Sequence, residues 1–475
     1  MSRPALAWGS ISVFIALVLA AVISLEIGVL ALLFAAVAWW VWKQPGNGLI
    51  LFVVLAPLLP LLKFTQSGGS ITLIKDVIIL TMFVKLVLYP LLKQTLPYRR
   101  NHLLLPIFFL AIWTLLNVVR ADSLILGVLR ARDIALYVLL YLAVLYLPLT
   151  AKYLRQLFSG VLVTGVLVLL LGVYQWFGAA DSAILRFDPA RQVWIPRISS
   201  TLAHPSVFGE YLITLVLALC AGVIATTATR WRLAWVTLGV VTLPFVFLTY
   251  SRGAWLGFVT ALGTAALVWW FARSKGRAQW ATIRRWIVPA VAGIVIVLLA
   301  LMFVTPVGTF VRVSFDPTYA SNAIRLDFVA RLIAPLTPTA ALIGSGLGDV
   351  VVQNFRTIDI ATFDIASGAA RSVQLAKDAT LVDNQYLKTF VELGLAGLLI
   401  YLWIYVVTIR AAWQLAKRGK TVALAIGVAT IAFTISFMVQ ALFIDVWDIF
   451  PTNAFYWIFA GLAVALHTPT LYKKI

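Results

Sequence analysis

Apolar runs of about 20 residues, separated by short polar turns, recur along nearly the whole chain, and their interiors do not alternate between apolar and polar positions. A helix of that length crosses the roughly 30 Å hydrocarbon core with its backbone groups satisfied internally, whereas a membrane barrel requires alternation. The pattern predicts an all-α polytopic membrane protein. The run that ends near Ser24 has the length of a signal peptide, but a second run, Ile27 to Trp42, follows at once, so a retained helical hairpin is expected. Further spans are expected at about 47–63, 72–92, 102–119, 134–150, 155–177, 207–227, 232–250, 253–272 and 286–306, then at about 386–411, 421–443 and 454–470. The total is about 12–14 transmembrane helices, because short neighbouring runs are candidates for re-entrant segments.

One long interruption, Val307 to Asn384, divides the chain into residues 1–306 (a bundle of about 11 spans), a cap loop with short helices at 307–384, and about three C-terminal spans at 385–475. The cap carries an amphipathic patch around Ile324, Phe328 and Leu332 and a glycine turn at Gly344, Gly346 and Gly348, whose spacing is not that of a dinucleotide fingerprint.

Composition removes the soluble alternatives. The chain is 63% hydrophobic and 11% charged, where a soluble domain has about a quarter charged residues. A net charge of +20 would point to nucleic acid in a soluble protein, but here it divides between two sides of a membrane, and no nucleic-acid partner is expected. The single cysteine, Cys220, excludes a disulfide framework, and His102, His204 and His467 lack metal-ligand spacing, so neither a metal site nor a cofactor is expected. With the N-terminus inside, alternate turns collect lysine and arginine as the positive-inside rule requires, and the cap falls outside the cytoplasm. The outer turns hold twelve arginines against three lysines, Lys63, Lys377 and Lys388. Guanidinium forks grip phosphate oxygens in pairs and stay ionised, so this bias points to a phosphate-bearing ligand, with binding of lipid headgroups as the simpler account.

Three outer segments carry candidate chemistry. In Pro196-Arg197-Ile198-Ser199-Ser200-Thr201-Leu202-Ala203-His204-Pro205, an arginine precedes a helix start whose free N–H groups attract anions; His204 either joins that pocket or caps the helix. At Thr249-Tyr250-Ser251-Arg252-Gly253, Arg252 is held at the membrane surface, facing an anion or snorkelling. In the cap, Arg325 projects from the polar flank of an amphipathic stretch. Asp383 stands where a span begins and is either a base for a hydroxyl nucleophile or an N-cap. Glu392 lies more than two turns into that span, where an arginine partner is expected.

Taken in order, these segments resemble the O-antigen ligase and O-antigen polymerase superfamily of bacterial envelope glycosyltransferases. The likeness covers about residues 190–410. It rests on the Arg197 to Tyr211 segment, on Leu248-Thr249-Tyr250-Ser251-Arg252-Gly253-Ala254-Trp255, on the Arg325 stretch with the glycine turn behind it, and on Asp383-Asn384-Gln385-Tyr386-Leu387 followed by Glu392-Leu393-Gly394. The resemblance implies transfer of a glycan from an undecaprenyl-pyrophosphate carrier to an acceptor hydroxyl on the outer side of the inner membrane, independent of metal. It assigns catalysis to Asp383, Arg252 and Arg325, and substrate binding to Arg197, His204, Asn384 and Glu392. Partners would be the lipid-linked donor, a glycan or lipid acceptor, membrane lipids and a chain-length regulator. Ligases that attach O-antigen to the lipid A core usually place a histidine beside asparagine where this chain has Asp383-Asn384, which favours a polymerase over a core ligase. A flippase for lipid-linked oligosaccharide and a protein O-oligosaccharyltransferase are the alternatives.

Overall fold

A computed structural model describes residues 25–62, 68–97, 99, 101–178, 184–188, 193–202, 204–226, 228–273, 329–330, 332–350, 384–419 and 421–467. It is an all-α polytopic assembly. The principal helices are α1 (Leu25–Lys43), α2 (Pro45–Leu55), α3 (Ile74–Phe83, continued by a π-helical turn, Val84–Leu88, and by Tyr89–Leu92), α4 (Leu104–Val119), α5 (Leu124–Leu145) and α6 (Ala151–Gly178). They are followed by α7 (Pro205–Ala225), α8 (Thr229–Leu248), α9 (Arg252–Arg273), the short α10 (Pro338–Ile343), α11 (Gln385–Arg418), α12 (Thr421–Gln440) and α13 (Thr452–His467). Among the described residues six helices, α6 to α9, α11 and α12, are long and apolar enough to span a membrane.

Helices that are apolar all round belong inside a bundle. Accordingly α7, α12 and α13 are almost wholly buried, and α12 packs against α7, α9, α11 and α13. The aromatic side chains of Tyr405, Phe437, Trp447, Tyr456 and Trp457 interlock where α11, α12 and α13 meet. Helices α6, α8 and α9 instead turn leucine, valine and phenylalanine outward, the surface expected toward lipid.

Three elements depart from the hydropathy reading. The run at about 47–63 is not one span: α2 ends at Leu55 and only a turn and the short helix Leu59–Leu62 follow. Eleven residues rise about 16 Å, well short of the hydrocarbon thickness. Helix α5 begins at Leu124, not near 134, because Arg130, Arg132 and Asp133 lower the apolar average of its first turns while ion pairs make them acceptable there. Arg130 and Arg132, counted above among outer-turn arginines, are therefore helical. Finally, β1 (Ile184–Asp188) and β2 (Val193–Arg197) form an antiparallel hairpin with Ile184 opposite Arg197 and Phe187 opposite Trp194. Its only sequence signal is the β-branched and aromatic run Val193-Trp194-Ile195, too short to register in a membrane-span scan. The expected spans at 1–24 and 286–306, and most of the 307–384 cap, lie outside the described residues.

The described part of the cap explains its glycines. Helix α11 is broken at Gly394, with φ 69° and ψ −175°. The Gly344–Gly348 turn inserts at that break: Ser345 and Gly346 donate backbone N–H groups to the carbonyls of Val391 and Glu392. A Cβ on Gly394 would stand 2.5 Å from the Gly344 nitrogen, and one on Gly344 would stand 2.3 Å from the Glu392 carbonyl oxygen. Both positions have positive φ and backbone on the other side, so only glycine fits. Arg120 and Asn117 at the end of α4 hold the same turn, through Gly344 O and Leu347 N respectively. Leu332, Val350 and Val391 complete a small apolar cluster beneath it.

Candidate anion site at one end of the bundle

Residues 120–123, 198–202, 204, 249–251, 344–350, 384 and 441–451 gather at one end of the bundle, where two polar groupings adjoin. The first is an arginine corner. The N-terminal ends of α7 and α9 touch there: a Cβ on Gly209 would lie 2.4 Å from the Cβ of Ala254, so the close approach requires glycine. His204 is the N-cap of α7, its Nδ1 accepting the Ser206 N–H at 3.2 Å, with Pro205 in the first turn. Ser251 precedes α9 and its Oγ accepts the Ala254 N–H at 3.4 Å, which makes Arg252 the first residue of that helix. Tyr250, between Thr249 and Ser251, has φ 47°, a left-handed conformation that a bulky side chain seldom adopts and that recurs at functional sites.

Arg197, at the end of β2, is buried, and its Nε donates to the Thr249 carbonyl at 2.8 Å. Ile198 N–H donates to Leu248 O, and Gln175 on α6 accepts from the backbone of both Ser199 and Ser200. Strand end and α8–α9 corner are thus one rigid piece. A cation at a helix N-terminus opposes the helix dipole. With Arg252 at the start of α9 and Arg197 beside it, the corner is electropositive on two counts, and an anion placed there is favoured by guanidinium charge and free N–H groups together.

Burial, and then the neighbouring Arg197 guanidinium, push the His204 imidazole down from its ordinary 6.5 to about 4. The unfolded chain therefore binds a proton more readily, and stability is lost as pH falls from about 6.5 toward 4 and levels off below. His204→Asn keeps a capping oxygen and does not titrate. The thermal midpoint of the wild type in detergent should drop relative to that variant between pH 6.5 and 4, and parallel curves would contradict the assignment.

The second grouping is an ion network at the start of α11. Lys388 and Glu392, i and i+4 on one face, are buried, and Lys388 Nζ lies 3.2 Å from Asp445 and 2.5 Å from Asp448. Arg130 from α5 reaches Asp448 at 2.5 Å and Glu392 at 3.7 Å, which supplies the arginine that Glu392 was expected to need. Burial alone would raise both aspartates in the α12–α13 loop. For Asp448 the flanking Arg130 and Lys388 outweigh it and hold the carboxyl at about 2, whereas burial prevails at Asp445 and raises it. The layer extends outward through Lys75, Asp76 and Arg132.

Gln385 joins the two groupings, donating its N–H to Ala441 O and accepting the Trp447 N–H, while Gly253 of the arginine corner packs on Phe443. Glu210 on α7 is buried between them, with Thr452 and Asp445 as its polar neighbours.

Of the residues singled out from sequence, the structure brings Arg197, His204 and Arg252 to one corner and sets Asn384 and Glu392 on the adjoining first turns of α11. Asn384 is the N-cap, its Oδ1 accepting the Leu387 N–H at 3.0 Å. The capping role offered for Asp383 thus belongs to its neighbour. Asp383 and Arg325 lie outside the described residues. Sequence reading did not assign roles to Arg130, Lys388, Asp445 or Asp448; the available signals were the opposite charges at i and i+4 on α11 and the paired aspartates in a short turn.

Residues 237–402 match a family model described as O-antigen ligase. The match takes in the second part of α8, α9, the cap and the first half of α11, and so Arg252, Arg325, Asp383, Asn384 and Glu392; Arg197, His204, Arg130, Asp445 and Asp448 fall outside it. No curated protein matches the chain.

Proposed function

Residues 237–402 match the O-antigen ligase family model, and on that match we propose that the protein is a membrane glycosyltransferase that polymerises lipid-linked repeat units. In this reading a glycan leaves an undecaprenyl-pyrophosphate carrier for a hydroxyl of a second glycan, on the outer side of the inner membrane. The observation that carries it is the arginine corner, where Arg197 and Arg252 flank the touching ends of α7 and α9.

The acceptor hydroxyl oxygen forms a bond to the anomeric carbon, and the bond from that carbon to the pyrophosphate oxygen breaks. The hydroxyl proton passes to a base, for which Asp383 is the candidate, and the electron pair of the broken bond stays on the departing pyrophosphate. Negative charge grows on that leaving group, so fixed guanidinium groups of Arg197, Arg252 and Arg325 stabilise the transition state more than the ground state. His204, uncharged near neutral pH, adds no charge of its own to the corner. Asn384, the N-cap of α11, borders the corner and is the candidate contact to the acceptor, whereas Glu392 is buried against Arg130 and supports the site from below. A flippase would be expected to carry unsatisfied charge near the bilayer midplane. The one lysine placed for that, Lys85, instead lies 4.8 Å from the centre of the Trp42 ring, a cation–π contact.

The test is mass spectrometry of the products formed by purified protein from a defined lipid-pyrophosphate repeat unit. A ladder of repeats on the lipid carrier is expected, slowed at least tenfold by Asp383→Asn. Single transfer to a core lipid, or to a serine or threonine peptide, would replace the polymerase reading with a ligase or protein-transferase one.

A further inference from the structure

At the end opposite the arginine corner, a cavity of about 1080 Å³ opens between α7, α8, α9 and α12. Lysine and arginine placement assigns this end to the cytoplasm. Two walls of the cavity repeat one pattern. On α8, Arg232 stands at the mouth, Trp235 one turn deeper and Gly239 one turn beyond; on α9, Arg273 stands at the mouth, Trp269 one turn deeper and Leu262 beyond. Charged head, indole, then apolar depth is the order in which side chains meet a bilayer interface, and here it lines a recess that opens to the lipid-facing surface through the exposed Val236, Val240 and Val259.

Three further details point to an occupant. Trp235 is buried, yet its indole N–H has no hydrogen-bond partner, and an orphaned buried donor calls for an acceptor oxygen. A Cβ on Gly239 or on Gly263 would find nothing within 4 Å, so the middle of the cavity is open. Among the described residues no carboxylate pairs with Arg232 or Arg273; Arg232 only donates to the Thr226 carbonyl at 3.0 Å, and both guanidinium groups are exposed. The cavity is at the upper end of the 300–1,000 Å³ or so of small-molecule pockets, and its lining suits hydrocarbon, not sugar.

We propose that this cavity binds one anionic phospholipid, with its phosphate between Arg232 and Arg273, an ester carbonyl accepting the Trp235 indole N–H, and its acyl chains running past Gly239 and Gly263. Basic pockets between helices on the cytoplasmic side recognise such headgroups. The lipid would fill the gap between α8, α9 and α12 and so support the α8–α9 corner from below. This inference does not depend on the glycan-transfer reading.

To test it, delipidated protein is mixed in detergent with phosphatidylglycerol or with phosphatidylcholine of the same acyl chains, and bound lipid is counted by native mass spectrometry. At least fivefold more phosphatidylglycerol should be retained. Arg232→Gln combined with Arg273→Gln, both at exposed helix ends, should bring it down to the phosphatidylcholine level. Gly239→Trp, filling the open middle, should reduce retention of both lipids. Equal retention of the two lipids, retention of neither, or an unchanged preference in the double arginine variant would overturn the proposal.

Discussion

Arg252→Ala is expected to yield a folded protein that transfers glycan from a lipid-pyrophosphate donor at least a hundredfold more slowly. Arg252 opens α9 two residues after the strained Tyr250 and three residues after the carbonyl that holds Arg197. A cation at this end of the helix dipole does not favour the helix, so its loss removes no favourable dipole interaction. Its value is to a developing oxyanion, and removal of one preorganised donor of that kind typically lowers turnover by about 10²–10³. Arg252→Lys keeps the charge but not the two-pronged hydrogen bonding and should fall between the two. The assay is turnover by reconstituted protein with size-exclusion and thermal profiles alongside. Full activity of the alanine variant would remove Arg252 from the site and with it the main support for the function proposed here.

Lys388→Met should act in the opposite way, through stability. Lys388 is buried and lies within salt-bridge distance of both Asp445 and Asp448. Removing one partner of a buried ion pair costs about 3–5 kcal/mol, because the remaining charge keeps its desolvation penalty without compensation. Asp448 retains Arg130, but Asp445 has no other salt bridge among the described residues and would carry the loss. A second change, Asp445→Leu, on the Lys388→Met background should therefore recover a substantial part of the thermal midpoint in detergent, and that recovery distinguishes a charge effect from a packing defect. A variant as stable as the wild type would mean that water reaches this layer.

The contrast between these two sites follows from where each cation lies. Arg197 and Arg252 sit beside the N-termini of α7 and α9, where guanidinium charge adds to the positive ends of the helix dipoles. Arg130 and Lys388 already have carboxylates from the α12–α13 loop, and so hold α5, α11 and that loop together beneath the candidate site.

What the linear pattern determined is the class of molecule and the segments that meet at the arginine corner. Spans of α-helical length follow from the length of the apolar runs, since an unbroken apolar stretch in lipid has few other ways to satisfy its backbone. The Arg197 to Tyr211 and Thr249 to Trp255 segments stood out because polar residues beside a span must be accounted for. Tertiary structure alone decided the rest. The ion network is assembled from residues far apart in the chain, and hydropathy discounts charges whose partners it cannot see, which is why α5 was placed too late. The glycine turn at 344–348 looked like punctuation in sequence; only the meeting of its backbone with the break at Gly394 reveals why a side chain has no room there.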